Sequence, residues 1–480
     1  MRSLPLWPLL LAGALLSAPG HAAQSTPLPS SPAEVPVPPL RPFALPEPVR
    51  LELETGASLL VIPIGGVPLI DGTLLLPGGR QDEDEDLVGI TELMAGVLRE
   101  GGSERTSGRA LDEWLDSHAA SLTCTATDEA LRIDFSCVAR DLGNLLVLLG
   151  ELLRQPAYPE AALERVRARL ETRIARRAED PGWLADLWLD RLTAGEDSLL
   201  ARRPSTETLA RVTRRDLLRH HRALVSPARL LVGATGAVQP ESLAAQLDTQ
   251  LRGLPEAGPR PRREPQVLRR PSRITIHLLD RPGLAQCELR LAAPGVRRLH
   301  GDAAALRLWS AAVGAEGAAN RMMVRMRAGL GLIYEGRLAH EPGWARSGRV
   351  LGSCSTRVAA GGETVGAWLE VLRGSLAPLP SRELDSVRQR VLNSGVFELD
   401  SPAELLDRAL EAAFHRYPTD HWERSDERLR RLSAEEVAQA VQRRVDPERM
   451  TIVVVGPAEE LAPQLEPYGQ VVLLPGGGPR

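Results

Sequence analysis

The side chains that most often bind a catalytic metal are present in this chain, but their spacing does not form a site. None of the nine histidines has a second histidine four positions away, the spacing that puts two imidazoles on one face of a helix. His220 and His221 are adjacent, and His415 and His421 are too isolated in pattern to propose as ligands. This reasoning predicts no metal site built from histidine.

The four cysteines show no C-x-x-C spacing, so a zinc knuckle is not expected. Cys124 and Cys137 fall on the two strands of one predicted hairpin, SLTCTAT and LRIDFSCV. An oxidising compartment would allow a disulfide between them, and buried free thiols are an equal alternative. The sequence leaves the state of all four cysteines open: Cys124, Cys137, Cys287 and Cys354.

Composition excludes some classes of function. With 43% hydrophobic and 25% charged residues, the chain has the composition of an ordinary soluble globular protein. Its net charge of -4 gives no reason to expect a nucleic acid partner. Aromatic residues make up only 3%, so a platform for stacking bases or sugars is not expected. A length of 480 residues exceeds one compact core, and about two to four domains are expected.

The N-terminus has the features of a cleaved signal peptide. Arg2 is followed by an apolar run from Leu4 to Leu16 and by small residues that include Gly20 and Ala22. We predict a signal peptide over 1–22, cleaved after Ala22, and a flexible Pro- and Ser-rich leader over 23–44. A periplasmic or secreted protein without a membrane span is expected.

The order of elements occurs twice, at an offset of 220 residues. The helix that opens at Thr213-x-x-Asp216 corresponds to the one at Ser433-x-x-Glu436, and both patterns are typical of a capping box. Proline, glycine and arginine dominate 254–272, which therefore reads as a linker. We predict an α+β fold of two similar domains, at 45–253 and 273–475. Each is expected to be a mostly antiparallel sheet packed against helices.

Residues 87–103, LVGITELMAGVLREGGS, predict an amphipathic helix that ends at two glycines. The acidic run Asp82–Asp86 before it is expected to be a solvated loop that places negative charge near the helix N-terminus. A calcium site there is the alternative, and the run lacks the necessary spacing.

From about residue 45 to the end, the chain resembles the M16 (pitrilysin-like, inverzincin) metallopeptidases, whose domains are of the LuxS/MPP type. Their zinc helix reads roughly G-L-x-H-x-x-E-H before a glycine turn, and here it matches 87–103. Aligned from Gly89, the two zinc histidines fall on Glu92 and Gly96, and the catalytic glutamate falls on Ala95. The third family ligand is a glutamate near Glu171. These positions cannot hold zinc or activate its water, so the resemblance implies no zinc in this chain.

The segment Arg327-Ala-Gly-Leu-Gly-Leu-Ile-Tyr334 is similar to the R-x-x-x-G-L-x-Y motif of the family's second domain. The resemblance implies that Arg327 and Tyr334 hold the substrate backbone and stabilise the oxyanion formed when water attacks a peptide bond. The alternative is a helix-end arginine with a tyrosine in the core. The glycine-containing segment 312–320 corresponds to a family loop that guides peptide, or it only separates two helices. For Glu171, an ion pair with Arg167, Arg169 or Arg173 is expected.

Two classes of function follow from the resemblance. In the first, the chain is the zinc-free subunit of a heterodimeric periplasmic peptidase. It is inactive alone, and its partner is a zinc-bearing M16 homologue that acts on unfolded peptides. In the second, the chain is a structural or peptide-binding homologue with no part in hydrolysis. A neighbouring gene for an H-x-x-E-H relative would favour the first class.

Overall fold

A computed structural model describes residues 46–475, apart from 257–267 and positions 316, 318, 345, 398 and 400. The predicted signal peptide (1–22) and leader (23–44) lie outside the described residues, as does most of the predicted linker. Among the helices that are described, none is long and apolar enough to cross a membrane.

The first half of the chain forms one six-stranded sheet with helices. The strands of this first sheet are β1 (Val49–Glu52), β2 (Ser58–Pro63), β3 (Leu69–Pro77), β4 (Ser121–Ala126), β5 (Ala130–Val138) and β6 (Leu231–Gly236). The helices are α1 (Ile90–Gly101), α2 (Gly108–Ser117), α3 (Leu142–Arg154), α4 (Glu160–Glu179), α5 (Pro181–Ala194), α6 (Thr206–Arg211), α7 (Arg214–Leu224) and α8 (Pro240–Leu251).

The second half forms a second six-stranded sheet. Its strands are β7 (Thr275–Asp280), β8 (Gln286–Pro294), β9 (Gly336–Glu341), β10 (Arg349–Arg357), β11 (Thr451–Gly456) and β12 (Gln470–Leu474). Its α-helices are α9 (Ala303–Val313), α10 (Gly361–Gly374), α11 (Ser381–Phe397), α12 (Pro402–Phe414), α13 (His421–Arg431), α14 (Ala434–Arg444) and α15 (Ala458–Leu465). A π-helical segment covers Met323–Gly329.

The two sheets have the same topology over five strands. The first has the order β1-β2-β6-β3-β5-β4, and the second has the order β12-β7-β11-β8-β10-β9. Each sheet contains a corresponding pair of parallel neighbours: β2 with β6 in the first sheet, and β7 with β11 in the second. The neighbouring strands from there to the β4 and β9 edges are antiparallel. The predicted α+β fold with two similar sheets is confirmed.

Towards the end of each half, one helix and the strand after it correspond at an offset of exactly 220 residues. Helix α7 and strand β6 correspond to α14 and β11 residue for residue. Both predicted capping boxes are formed, with the side chains of Thr213 and Ser433 accepting from the backbone N–H groups of Asp216 and Glu436. Helix α7 begins directly after Thr213, as the predicted capping box requires, and the short helix α6 precedes it. Helices α8 and α15 and strand β12 were not predicted.

An arginine makes the same two backbone contacts in each half. Arg167 of α4 donates to the carbonyl oxygens of Leu209 (3.1 Å) and Val212 (2.6 Å), at the end of α6. Arg388 of α11 donates in the same way to Leu429 and Leu432, at the end of α13. The last carbonyls of a helix lack the usual hydrogen bonds from the following turn, and a cation is favourable at a helix C-terminus.

Each sheet buries its second face under a helix from the other half of the chain. In β2, Leu59 and Val61 pack on the helices of the first half, while Leu60 and Ile62 point to the opposite face. On that face they pack against Leu406 and Leu410 of α12, which comes from the second half. Gly233 of β6 leaves the space for this contact, since a Cβ there would lie 2.7 Å from a methyl group of Leu410.

Helix α5 makes the reciprocal contact on the second sheet. Leu184, Trp188 and Leu189 of α5 pack on Val453 and Val455 of β11. The two exchanged helices also correspond in sequence, because Pro181, Asp186 and Leu189 lie 221 positions before Pro402, Asp407 and Leu410.

Ion pairs accompany both exchanged helices. Asp186 of α5 binds Arg290 of β8 (2.7 Å), and Asp407 of α12 binds Arg132 of β5 (2.7 Å). Asp190 of α5, which is buried, lies between Arg203 (2.7 Å) and Arg349 (2.9 Å). A buried carboxylate needs such partners, because desolvation of an unpaired charge is costly.

The helix exchange predicts that one leucine on each exchanged helix matters for stability. Leu189→Ala and Leu410→Ala should each lower the free energy of unfolding by about 2–5 kcal/mol, because each removes a fully buried side chain from the opposite sheet. Urea denaturation followed by circular dichroism measures the change. Leu473→Ala is the control, since Leu473 is 64% exposed on edge strand β12. Unchanged denaturation midpoints for both core variants would contradict the exchange.

Candidate functional site

Helix α1, which carries the degenerate zinc motif, is capped by a buried carboxylate. Glu83 accepts from the backbone N–H groups of Gly89 (2.8 Å) and Thr91 (2.9 Å). Burial raises the pKa of Glu83, and these two hydrogen bonds oppose the rise. The expectation that Asp82–Asp86 is a fully solvated loop is therefore wrong at Glu83. The expected negative charge at the helix N-terminus is supplied by that residue.

The turn after α1 requires glycine at position 102, because of its backbone conformation and a close backbone contact. Gly102 has a φ of 73°, and a Cβ there would lie 2.3 Å from the carbonyl oxygen of Thr106. Leu93, Val97 and Leu98 of the same helix are fully buried in the first core. The first core therefore holds α1, and the left-handed backbone of Gly102 forms its turn.

Of the three motif positions, only position 92 carries a side chain that could ligate zinc. Glu92 forms an ion pair with Arg173 of α4 (2.7 Å), and Ala95 is buried. Gly96 packs under α4, where a Cβ would lie 2.7 Å from Cγ1 of Val166. A histidine at 96 would therefore collide with a stiff β-branched side chain.

The surroundings of Glu92 are basic. A cavity of about 30 Å³ beside it is lined by Arg173, Arg177 and Arg203 together with Trp183. Zinc is held by thiolates, imidazoles and carboxylates, and guanidinium groups repel a cation. Within the described residues, no group of three His, Cys, Asp or Glu side chains could hold a metal ion. The residues at the motif do not fit zinc.

The expected ion pairs of Glu171 are not formed. Arg167 pairs with Glu164, Arg169 with Glu100, and Arg173 with Glu92. The expectation for Glu171 was wrong because α4 packs against α1, which brings the carboxylates of Glu92 and Glu100 within reach of these arginines.

The adjacent histidines belong to the core. His220 hydrogen-bonds with Oγ1 of Thr91 (2.9 Å), and His221 hydrogen-bonds with the hydroxyl of Tyr158 (2.8 Å). Burial lowers the pKa of each histidine to about 4. Both imidazoles are therefore neutral and structural.

The cysteines are free thiols in this structure. Cys124 lies opposite Ile133, and Cys137 lies opposite Ile70, so the two thiols are not cross-strand neighbours. Burial raises the pKa of Cys124 to about 12, which disfavours the reactive thiolate.

Arg327 and Tyr334 lie against each other at the end of the π-helical segment. The guanidinium carbon of Arg327 is 4.6 Å from the centre of the Tyr334 ring, a cation–π contact. Tyr334 is 76% exposed, although Leu332 and Ile333 just before it are buried. Tyr334 is therefore not a core tyrosine, and the alternative interpretation of this motif is wrong.

The charge of Arg327 is not neutralised by a described carboxylate. Its neighbours Arg321 and Arg325 bind Glu383 (2.8 Å) and Glu370 (2.9 Å). Among the residues that the structure describes, no carboxylate pairs with Arg327. The structure thus brings Arg327 and Tyr334 together as two exposed donors, while Glu92, Ala95 and Gly96 lie on α1 of the other half.

The segment 312–320 separates two helices, and positions 316 and 318 within it lie outside the described residues. Helix α9 ends at Val313, and the next helical residues begin at Arg321. Asn320 accepts from the backbone N–H of Met323 (2.9 Å) and so caps the second helix. A role in guiding peptide stays a prediction.

Sequence reasoning missed a large groove beyond the C-terminal end of α12. Its volume is about 1380 Å³, and its lining includes Leu60, Leu231, Trp344, Phe414, His415 and Tyr417. We call it the α12 groove. The ring of Trp344 stacks on His415 at 4.7 Å and is covered by the guanidinium of Arg298 at 3.7 Å. The only sequence signal was the local run of aromatic and histidine residues over 414–422.

The loss of zinc chemistry can be tested directly. Gly96→His should lower the free energy of unfolding by about 1–3 kcal/mol through overpacking against Val166, and adding Val166→Ala should recover part of this. Thermal denaturation measures both effects. The triple variant Glu92→His/Ala95→Glu/Gly96→His should bind no stoichiometric zinc by elemental analysis, because Arg173 remains beside the motif. One bound zinc per chain of this variant would contradict our description of the site.

Comparisons with known proteins agree with the fold and the motifs. Residues 211–342 match a family model described as the peptidase M16 inactive domain. A curated relative, the non-peptidase homologue YmxG of Helicobacter pylori, is 25% identical over 184 residues, which cover 38% of this chain. The match spans only 42% of that relative's length.

Solved structures support the fold over most of the chain. A peptidase M16 inactive domain from Pseudomonas fluorescens has a TM-score of 0.76 at 21% identity, covering 85% of this chain and 98% of its own. A protease from Helicobacter pylori has a TM-score of 0.75 at 14% identity, covering 86% and 100%. At these identities the likeness concerns the fold alone. The matched segment, the curated relative and the shared fold all make this chain similar to the peptidase M16 inactive domain and its homologues.

Proposed function

We propose that this chain is the zinc-free subunit of a periplasmic heterodimeric M16 metallopeptidase, in which it supplies Arg327 and Tyr334 to the active site of a zinc-bearing homologue. The observation that carries the proposal is the exposed contact between these two side chains, which includes an arginine that no described carboxylate neutralises. Side chains kept only for stability would gain more from burial or from an ion pair.

The chemistry of the pair suits an oxyanion. The guanidinium donates several hydrogen bonds in a fixed plane, and the phenol donates one. Donors aimed at the negative charge that develops in the transition state contribute about 2.7–4 kcal/mol each where this has been measured. The contact with the ring of Tyr334 restricts the guanidinium, so less side-chain entropy is lost when substrate binds.

The proposed roles of the two subunits follow from the residues at the motif positions of α1. In this chain Glu92 is held in an ion pair, Ala95 is buried and Gly96 has no side chain, so the partner would have to hold the zinc and activate water. Unfolded peptides would be the substrates, docked by strand addition to a sheet edge. The apolar N-terminal run with its small-residue cleavage site supports export to the periplasm. Alone, the chain should hydrolyse no peptide.

A second candidate is a structural or peptide-binding homologue with no part in hydrolysis. It is favoured by the curated relative, which is described as a non-peptidase homologue. The two candidates differ in what they require of Arg327 and Tyr334, so one experiment separates them.

In a complex reconstituted with a zinc-bearing M16 homologue from the same organism, Arg327→Ala and Tyr334→Phe should each lower kcat for peptide hydrolysis by about 10²–10³. Assembly is checked by light scattering, and zinc in the partner is checked by elemental analysis. Arg325→Ala is the matched control, because Arg325 lies in the same π-helical segment but pairs with Glu370. Tyr468→Phe is the second control, since Tyr468 packs against Gly366 of α10.

Full activity of both variants in an intact complex would remove the catalytic role and favour the second candidate. Failure of any such homologue to bind the chain would remove the heterodimer itself.

A further inference from the structure

The α12 groove offers an apolar floor on the first sheet. Arg50↔Leu60 and Ser58↔Leu231 are cross-strand partners, so these side chains share the face that α12 covers. Helix α12 ends at Phe414, and beyond it this face continues onto β1, whose residues are mostly exposed. In the described part of the sheet, β1 is an edge strand that pairs only with β2. An edge strand presents unpaired backbone groups to any extended chain laid beside it.

The rim of the α12 groove is basic. Arg50, Arg297 and Arg416 line it and are exposed, and among the described residues no carboxylate forms an ion pair with any of the three. Two glutamates also line the groove, Glu52 and Glu129. Glu129 is already bound to His415 (3.4 Å). The free charge of the rim therefore favours a negatively charged partner.

Arg416 occupies a backbone position that normally belongs to glycine. Its φ is 55°, and the N–H of the following residue, Tyr417, bonds to the carbonyl of Ala412 (2.8 Å). Arg416 thus has the left-handed backbone conformation that often ends a helix. Glycine is usual there because it has no Cβ to clash with the backbone. An arginine at this position carries a conformational cost that glycine avoids, and strained residues are concentrated at binding sites. The strain is a second observation, independent of the charge, that points to this rim.

The size of the groove selects the kind of ligand. Its volume of about 1380 Å³ is larger than the roughly 300–1,000 Å³ of pockets that bury a small molecule. An extended peptide of several residues suits such a space. The rings of Trp344 and Tyr417, tilted against each other at 5.2 Å, form an aromatic wall along this space.

We propose that the α12 groove binds an extended acidic peptide, laid along β1 with its carboxylates against Arg50, Arg297 and Arg416. This site is distinct from Arg327 and Tyr334, and it needs neither a partner subunit nor hydrolysis. A peptide is favoured over a nucleic acid because the unpaired backbone groups of edge strand β1 can pair with the backbone of an extended peptide.

The test uses the full chain and a fluorescein-labelled peptide of alternating glutamate and leucine, about seven residues long, followed by fluorescence anisotropy. Arg297→Ala and Arg416→Gly should each weaken binding by about three- to tenfold, and added salt should weaken it further. Arg416→Gly also relieves the left-handed strain, so its melting temperature should equal or exceed that of the parent. This separates lost binding from lost folding. Arg382→Ala, an exposed arginine on α11, should change nothing.

The same peptide with arginine in place of glutamate should bind at least tenfold more weakly. Equal affinity for the two peptides, or unchanged affinity in both groove variants, would overturn the proposal. Stronger binding of a single-stranded oligonucleotide that displaces the acidic peptide would overturn it in favour of a nucleic acid site.

Discussion

The burial of both faces of each sheet under exchanged helices is the constraint on which the rest of the structure depends. The strands β2 and β11 are apolar on both sides, and the helices of one half cover only one of them. The second face of each sheet would lie in water without α5 or α12, and each large apolar side chain so exposed costs about 1.5–3 kcal/mol. The two halves are therefore bound reciprocally, and neither can separate without exposing both clusters.

The same demand for buried apolar surface holds α1 in place. The helix supplies Leu93, Val97 and Leu98 to the first core, and Glu83 is buried in order to cap it. The positions that the resemblance aligns with the zinc motif contribute to the packing of α1 on α4. Gly96 admits Val166, and Glu92 binds Arg173.

Much of the fold was predictable because its signals are local. Thr213 and Ser433 marked the starts of α7 and α14 through their capping boxes. The exchange of α5 and α12 was not predictable, because an apolar helix face does not say which sheet it covers. Glu83 was misjudged since its partners are backbone groups, which composition does not show. The α12 groove was missed because Trp344 and His415 meet only through the fold.

The two copies of the repeat agree in their scaffold and differ where chemistry is expected. Arg167 of α4 and Arg388 of α11 donate to backbone carbonyls at corresponding positions of the two halves. The capping boxes also occur in both halves. Between α1 and β4 the first half has the ordinary helix α2, but between α9 and β9 the second half has a π-helical segment. A π-helix has poorer geometry than an α-helix and is frequent at functional sites. This irregular segment ends beside Arg327 and Tyr334. A repeat kept only for stability would have no reason to differ there, and the difference therefore favours a retained role for this pair.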